Sequence, residues 1–268
     1  MKNNKVKVGI VGLGLIGSSI LRGLFDINDY ELFVCSKSSY TEALNYTKNS
    51  SFDVKIVEKC DIVFVCTSVS KTLKTLEELN KILNKDTIVV DVTSIKKDLL
   101  NKRYNFNFIL SHPMAGTEKT GFNAGFEELF VGAKWLIEKN NEILNKIIYT
   151  LGAKPLVVDM NTHDKLTAQI SHLPTVLSFL LFDSATDNAK MIASSGFRDM
   201  TRLSMSNSDL VLNMLKNKEN ILKYFDIIKE KLDKVFTMSD KELVEYLDKI
   251  SVERKKMYDE NGKNIFKI

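Results

Sequence analysis

The side chains best suited to proton and anion chemistry in this chain are few, and they cluster. Three histidines occur, and five arginines stand against 33 lysines. His112 lies in Ser111-His112-Pro113-Met114-Ala115-Gly116-Thr117-Glu118-Lys119-Thr120-Gly121, directly after the apolar run Phe106–Leu110. That order predicts a loop at the carboxyl end of a strand, the edge where doubly wound sheets bind ligands. Asp91-Val92-Thr93-Ser94 closes the preceding apolar run in the same way and brings Ser94 to that edge. The other two histidines fall between His163-Asp164 and Ser171-His172-Leu173-Pro174. Asp164 and His172 are a little over two helical turns apart and can share a face. His172 sits within an apolar helical stretch, where a hydrogen-bonded core role and a chemical role both fit. His163 reads as a polar residue at a helix start. Arg198 and Arg202 form a third cluster, in Ser194-Ser195-Gly196-Phe197-Arg198-Asp199-Met200-Thr201-Arg202. The planar guanidinium grips a carboxylate at two points, which lysine cannot do, so at least one of this pair reads as an anion clamp. An Arg198–Asp199 ion pair is the alternative.

A fourth motif binds rather than reacts. Gly12-Leu13-Gly14-Leu15-Ile16-Gly17 follows the first apolar run and opens the first helical stretch. Glycines at this spacing allow a tight turn, close approach of a pyrophosphate and close helix–strand contact, and the helix N-terminus stabilises the anion. Gly12, Gly14, Leu15, Ile16 and Gly17 are therefore expected to hold a dinucleotide, with Thr67 beyond the run Ile62–Cys66. An NAD site wants a carboxylate about 20 residues on, for the ribose hydroxyls. This chain has Ser36, Lys37 and Ser38 there, two hydroxyls and a cation, which favours NADP with NAD as the alternative. No metal-ligand spacing is found.

The elements that must position these groups follow from periodicity. Apolar runs at Val6–Val11, Glu31–Cys35, Ile62–Cys66, Thr87–Val92, Phe106–Leu110 and Trp135–Ile137 alternate with helical stretches Ile16–Phe25, Ser70–Leu83 and Asn141–Leu151, and Leu156–Val158 reads as a last short strand. This is the pattern of βαβ units and a mainly parallel sheet. From Thr162 the pattern is helical: Thr162–Phe182, Ser184–Ser194, Asp209–Met214, Asn217–Met238 and Ser239–Met257, with Gly196 as a break and Ser239/Glu242 as a capping box. The expected fold class is α/β: a doubly wound domain over residues 1–160, then an all-helical domain over residues 161–268. Its long amphipathic helices suggest a homodimer. A length of 268 residues, 44% hydrophobic and 27% charged, suits two packed domains, and a net charge of +4 points to neither nucleic acid nor a membrane surface. No apolar run reaches the length of a membrane span. The glycine-broken start is not a secretory signal. Cys35, Cys60 and Cys66 show no zinc or redox spacing, so free thiols in a cytoplasmic setting are expected.

Taken together, G-L-G-L-I-G-S-S, D-V-T-S-I-K, S-H-P-M-A-G-T-E-x-x-G, H-D with I-S-H-L-P, and A-S-S-G-F-R-D-x-T-R resemble the prephenate/arogenate dehydrogenase family of tyrosine biosynthesis, from Val6 to about Asn220. The resemblance implies a Rossmann domain followed by a helical dimerisation domain. It also implies oxidative decarboxylation of a cyclohexadienol with hydride transfer to NAD(P)+. By it His112 is the catalytic base with Ser94 orienting, and Arg202 holds a substrate carboxylate. Asp164 and His172 line the substrate segment, with Thr175, Gly116 and Thr117 as further substrate contacts. Many prephenate-using members have a second histidine where this chain has Thr175, and many carry a tryptophan after the T-R motif; Trp135 is the only one here. Cyanobacterial-type arogenate dehydrogenases lack that histidine and carry S-S-G-F-R-D and a Ser–basic pair after the second strand, so arogenate with NADP is favoured. Two rival readings remain. A β-hydroxyacid or pyrroline-carboxylate reductase would share the architecture, but the lysine motif of the β-hydroxyacid enzymes is missing. A non-catalytic NADP sensor would have no reason to keep His112 and Arg202 in these motifs.

Overall fold

The computed structural model describes residues 5–117, 119–259 and 264; Glu118 of the histidine motif lies outside the described residues. The chain runs β1 (Val6–Val11), α1 (Leu15–Leu24), β2 (Tyr30–Cys35), β3 (Asn49–Ser51), β4 (Ile62–Val65), α2 (Val69–Leu79), β5 (Ile88–Asp91) and β6 (Asn107–Ile109). These strands form one all-parallel sheet in the order β3-β2-β1-β4-β5-β6. The order reverses between β1 and β4, and a crevice opens outside the strand ends at such a switch point.

Both parities of the central strands are apolar, so both faces need cover. Val8, Ile10, Phe64 and Val90 join Ile20 and Leu21 of α1 and Leu144 and Ile147 of α3 (Glu142–Thr150). Val11, Val63, Val65 and Val89 join Leu76 and Leu79 of α2 in a second core. Register then fixes the functional edge. Cys35, Val11, Val65 and Asp91 stand side by side, so the segments starting at Ser36, Gly12, Cys66 and Val92 leave the sheet at one level.

The structure departs from the sequence expectation at two places. His112 is not in a loop: β6 ends at Ile109, and the chain re-enters a strand, β7 (Ser111–Pro113). It pairs antiparallel with β8 (Lys134–Ile137), which pairs parallel with β9 (Lys154–Val157). Three residues containing a proline carry no strand signal, but β7 is an edge strand, where proline is tolerated. Gly196 is no break either. It is the second residue of α7 (Ser195–Thr201), and the chain interrupts its helices before it, at the cap Ser194.

The helical half begins with α4 (Met160–Thr167), continues through a π-helical turn at Ala168–His172 and resumes as α5 (Leu173–Ser184). Pro174 in the first turn of α5 explains the wide turn. It has no N–H to return to Ile170, and its ring crowds the turn before it, which a π turn relieves. Then come α6 (Asp187–Met191), α7, α8 (Ser208–Leu215), α9 (Lys218–Val235) and α10 (Asp240–Met257). The Ser239/Glu242 capping box opens α10 as its sequence predicts. The described residues up to Lys218 form one compact unit, and those from Glu219 on, with nearly all of α9 and all of α10, another.

The glycine turn makes a test of local packing. A Cβ on Gly17 would lie 2.0 Å from the Gly12 carbonyl oxygen and 3.0 Å from Cys66 Cβ, whereas one on Gly14 meets nothing within 4 Å. Gly17→Ala is expected to cost about 2 kcal/mol or more of unfolding free energy in urea titrations, as overpacking does. Gly14→Ala should stay within about 1 kcal/mol of the parent.

Candidate active site

Asp91 ends β5 with its carboxylate fully buried, and three backbone segments converge on it. Its Oδ1 accepts the Ser111 N–H (3.0 Å), and its Oδ2 accepts the Thr93 N–H (3.0 Å), the Thr93 hydroxyl (2.7 Å) and the Lys96 ammonium (2.5 Å). The ammonium also donates to the carbonyls of Ser111 (2.5 Å) and Thr93 (2.8 Å). The Ser111 hydroxyl donates to the Asp91 carbonyl (2.7 Å) and accepts from the Trp135 indole N–H (3.0 Å). The start of β7 is therefore bolted to the end of β5. The next side chain, alternating to the other face, is His112.

From His112 a hydrogen-bonded chain runs into α4. His112 Nδ1 lies 3.0 Å from His163 Nε2, and His163 Nδ1 lies 2.7 Å from Asp164 Oδ1. Asp164 in turn accepts the backbone N–H groups of Lys96 on Oδ1 and Lys97 on Oδ2, both at 2.8 Å. Burial pushes the Asp164 pKa up, but the bonds from His163 and from those two amides outweigh it and hold the carboxyl below its ordinary value. An ionised carboxylate only accepts, so His163 Nδ1 carries the hydrogen. His163 Nε2 then accepts from His112 Nδ1, and a neutral His112 ring keeps its lone pair on Nε2. Burial first, then the Lys96 charge and the other two histidines, depress the His112 pKa well below its ordinary value. At neutral pH the ring is thus an uncharged proton acceptor.

A second branch reaches His172. Asn217, just past α8, donates from its amide to the Asp164 carbonyl (2.6 Å) and to His172 Nδ1 (3.1 Å). Burial lowers the His172 pKa to about 4, so this ring is neutral too.

The remaining expected residues are placed as follows. Ser94 is half-buried two residues before Lys96, and its hydroxyl has no partner among the described residues. Thr175 is buried and donates to the Ser171 carbonyl (2.9 Å). Gly116 and Thr117 follow β7, and the Thr117 hydroxyl accepts the Lys119 N–H (3.2 Å). Arg198 is exposed and forms an ion pair with Asp199 (3.1 Å). Arg202 is exposed, has no partner among the described residues, and opens a segment packed against α5. His163 lies in the first turn of α4, a helix start as expected, but sequence reasoning missed its relay position, fully buried between His112 and Asp164. Sequence reasoning also missed Asp91, Lys96 and Asn217.

The glycine turn fits a dinucleotide. Gly12 takes φ +96°, and a Cβ there would lie 2.8 Å from the Cys66 carbonyl oxygen. Gly14 faces open space at the start of α1 and contributes no side-chain cap, so the amides of Leu15 and Ile16 remain for a pyrophosphate. At the end of β2, Ser36 is buried, with its hydroxyl accepting the Ser39 N–H (3.1 Å), while Lys37 and Ser38 are exposed. Thr67 lies at the same edge, its hydroxyl 3.4 Å from that of Thr72.

Comparison with known proteins agrees with this architecture. The family model for the prephenate dehydrogenase nucleotide-binding domain matches residues 30–160, and that for the prephenate dehydrogenase dimerization domain matches residues 159–251. A cyclohexadienyl dehydrogenase from Zymomonas mobilis is 31% identical over 82% of this chain and 83% of its own. A prephenate dehydrogenase from Lactococcus lactis is 29% identical over 90% of this chain and 74% of its own. Among solved structures, the arogenate dehydrogenase of Synechocystis superposes with a TM-score of 0.81 at 29% identity, covering 94% of this chain and 99% of that one.

The buried neutral rings give stability a pH signature. An unfolded histidine titrates near 6.5, so below that pH the unfolded chain takes up a proton that folded His172 refuses until about 4. Stability is therefore full above about pH 6.5 and declines toward pH 4, by about 3 kcal/mol from His172 alone. His112 adds to the decline in the same direction. Urea titrations across that range should show it, and His172→Gln, which can still accept from Asn217, should flatten the slope.

Proposed function

The chain belongs to the prephenate dehydrogenase family, and from that premise we propose that it oxidises arogenate in preference to prephenate and uses NADP+ in preference to NAD+. The activity itself is the family's: nicotinamide-dependent oxidative decarboxylation of a cyclohexadienol in tyrosine biosynthesis. The single observation that carries the assignment of roles is the chain Asp164–His163–His112, which leaves one lone pair on His112 Nε2.

When bound, the nicotinamide ring supplies the hydride acceptor. The ring carbon that loses hydride becomes a carbonyl only if its hydroxyl proton is taken, and His112 Nε2 takes it. The imidazolium so formed keeps donating through Nδ1 to His163, which donates to the Asp164 carboxylate. The positive charge is thereby stabilised without moving a heavy atom. The bond to the ring carboxylate then breaks, its electrons aromatise the ring, and the carbonyl oxygen becomes the phenol oxygen as it regains a proton. The Ser94 hydroxyl, free of protein partners, orients the substrate hydroxyl, and Arg202, also free, clamps a substrate carboxylate.

The choice of arogenate rests on Thr175. Its hydroxyl proton is committed to the Ser171 carbonyl, so its remaining lone pairs suit an ammonium donor better than a keto oxygen. The choice of NADP+ rests on the turn after β2, where no carboxylate opposes a 2′-phosphate and Lys37 and Ser38 are exposed to meet one. A homodimer fits the apolar residues left exposed along α9 and α10, among them Leu222, Ile228, Leu232, Leu247 and Ile250, within or near the stretch matched by the dimerization model. Cys35, Cys60 and Cys66 are free thiols, in keeping with a cytoplasmic setting. No helix among the described residues is long and apolar enough to cross a membrane.

Nicotinamide absorbance in the four mixtures of arogenate or prephenate with NADP+ or NAD+ tests the pairing. The arogenate–NADP+ mixture should be fastest; a faster rate with NAD+ would refute the account of Lys37 and Ser38. His112→Asn should lower turnover about 10²–10⁴-fold, the usual worth of a general base, while cofactor affinity by fluorescence titration stays near that of the parent.

A further inference from the structure

We infer that Lys96 is a positioning residue for the reaction: one residue holds both ends of the His112–His163–Asp164 chain, its ammonium gripping the strand that carries His112 and its backbone N–H gripping Asp164. The inference rests on the reading of His112 as the base. The ammonium has no exposure to water, and its hydrogens go to Asp91 Oδ2 (2.5 Å), the Ser111 carbonyl (2.5 Å) and the Thr93 carbonyl (2.8 Å). Ser111 immediately precedes His112. The Lys96 N–H reaches Asp164 Oδ1 at 2.8 Å, the same oxygen that meets His163. The distance between the two ends of the relay is thus set through a single residue.

The chemistry of the ammonium matters as much as its reach. An apolar side chain of the same length would fill the space without desolvating a charge, but it would leave the two carbonyls unpaired. The groups around His112 are Lys96 from the segment after β5, Asp91 from β5, His163 and Asp164 from α4, and His172 from the π turn. Lys96 is the cation among them. Its field opposes a proton on His112 and keeps the base free, second only to burial.

Lys96→Met alone would strand the Asp91 carboxylate without its counter-charge, so the pair is removed together in Asp91→Asn/Lys96→Met. The variant is expected to fold, by circular dichroism, and to bind NADP+ like the parent. Its kcat should fall about 100-fold, the scale of a misplaced general base, with KM for the substrate within about threefold. The double variant loses the Asp91 anion together with the Lys96 cation, so the acid limb of its kcat/KM profile should stay near the parent's while kcat falls. A folded double variant with parental kcat would reduce Lys96 to a structural brace and overturn the inference. Should the double variant not fold, Lys96→Arg keeps the charge and changes the reach, bulk and donor geometry. A lower kcat with an unmoved acid limb then supports positioning, and a parental kcat overturns it. His112→Asn separates the two readings. If that variant keeps its turnover, the base itself is misassigned; if it loses turnover while both Lys96 variants do not, only the present inference fails.

Discussion

At the carboxyl end of β5 an ammonium and a carboxylate meet at 2.5 Å with no access to water. Two buried charges are costly to desolvate, and removing one partner of such a pair typically costs about 3–5 kcal/mol. The arrangement is sustained because each charge also satisfies backbone groups that a change of sheet leaves unpaired. Where β6 ends, the chain must leave a parallel ladder and enter an antiparallel one within two residues, and the Ser111 N–H and carbonyl lie at that junction. Asp91 takes the first and Lys96 the second. The position of His112 is therefore a consequence of how one sheet hands the chain to another.

The helical half answers the same constraint from the other side. Asp164 would be an expensive carboxylate so near a core, yet it receives two backbone amides from the segment after β5 and a ring N–H from His163. Asn217 closes the circuit by tying the Asp164 carbonyl to His172. In a low-dielectric interior each such bond is strengthened, and each broken one leaves an unpaired group behind. The π turn fits this picture. Widening the helix ahead of Pro174 sets His172 as its last residue, one helical register away from where an uninterrupted helix would put it.

Much of this was legible in the sequence, and the exceptions share a cause. Alternating β-branched runs and a glycine-rich first turn specify the parallel sheet because those signals are local: period, turn chemistry and burial on both faces. Ser239 with Glu242 specifies a cap for the same reason. β7 was not legible, since three residues with a proline carry no period and exist as a strand only because β8 and the Asp91 carboxylate receive them. Lys96 ends the D-V-T-S-I-K motif, but nothing local in the sequence marks it, out of 33 lysines, as the one buried among the described residues. His163 was misread because its neighbour in sequence, Asp164, is an ordinary companion at a helix start, whereas its neighbour in space, His112, is 51 residues away.

Placing two rings rather than one between the carboxylate and the accepting nitrogen has a physical rationale. A base must be unprotonated before the hydride leaves and protonated afterwards. A carboxylate bonded directly to His112 would favour the imidazolium in the resting state and raise its pKa, spending the driving force in advance. With His163 interposed, Asp164 orients the rings and supports the imidazolium through polarised hydrogen bonds, while burial and the Lys96 charge act on His112 at close range to keep it neutral. The separation lets attraction and repulsion act on one ring at different distances. The Asp91–Lys96 pair and the Asp164–His163 pair are thus two halves of one electrostatic arrangement, joined through the backbone of residue 96.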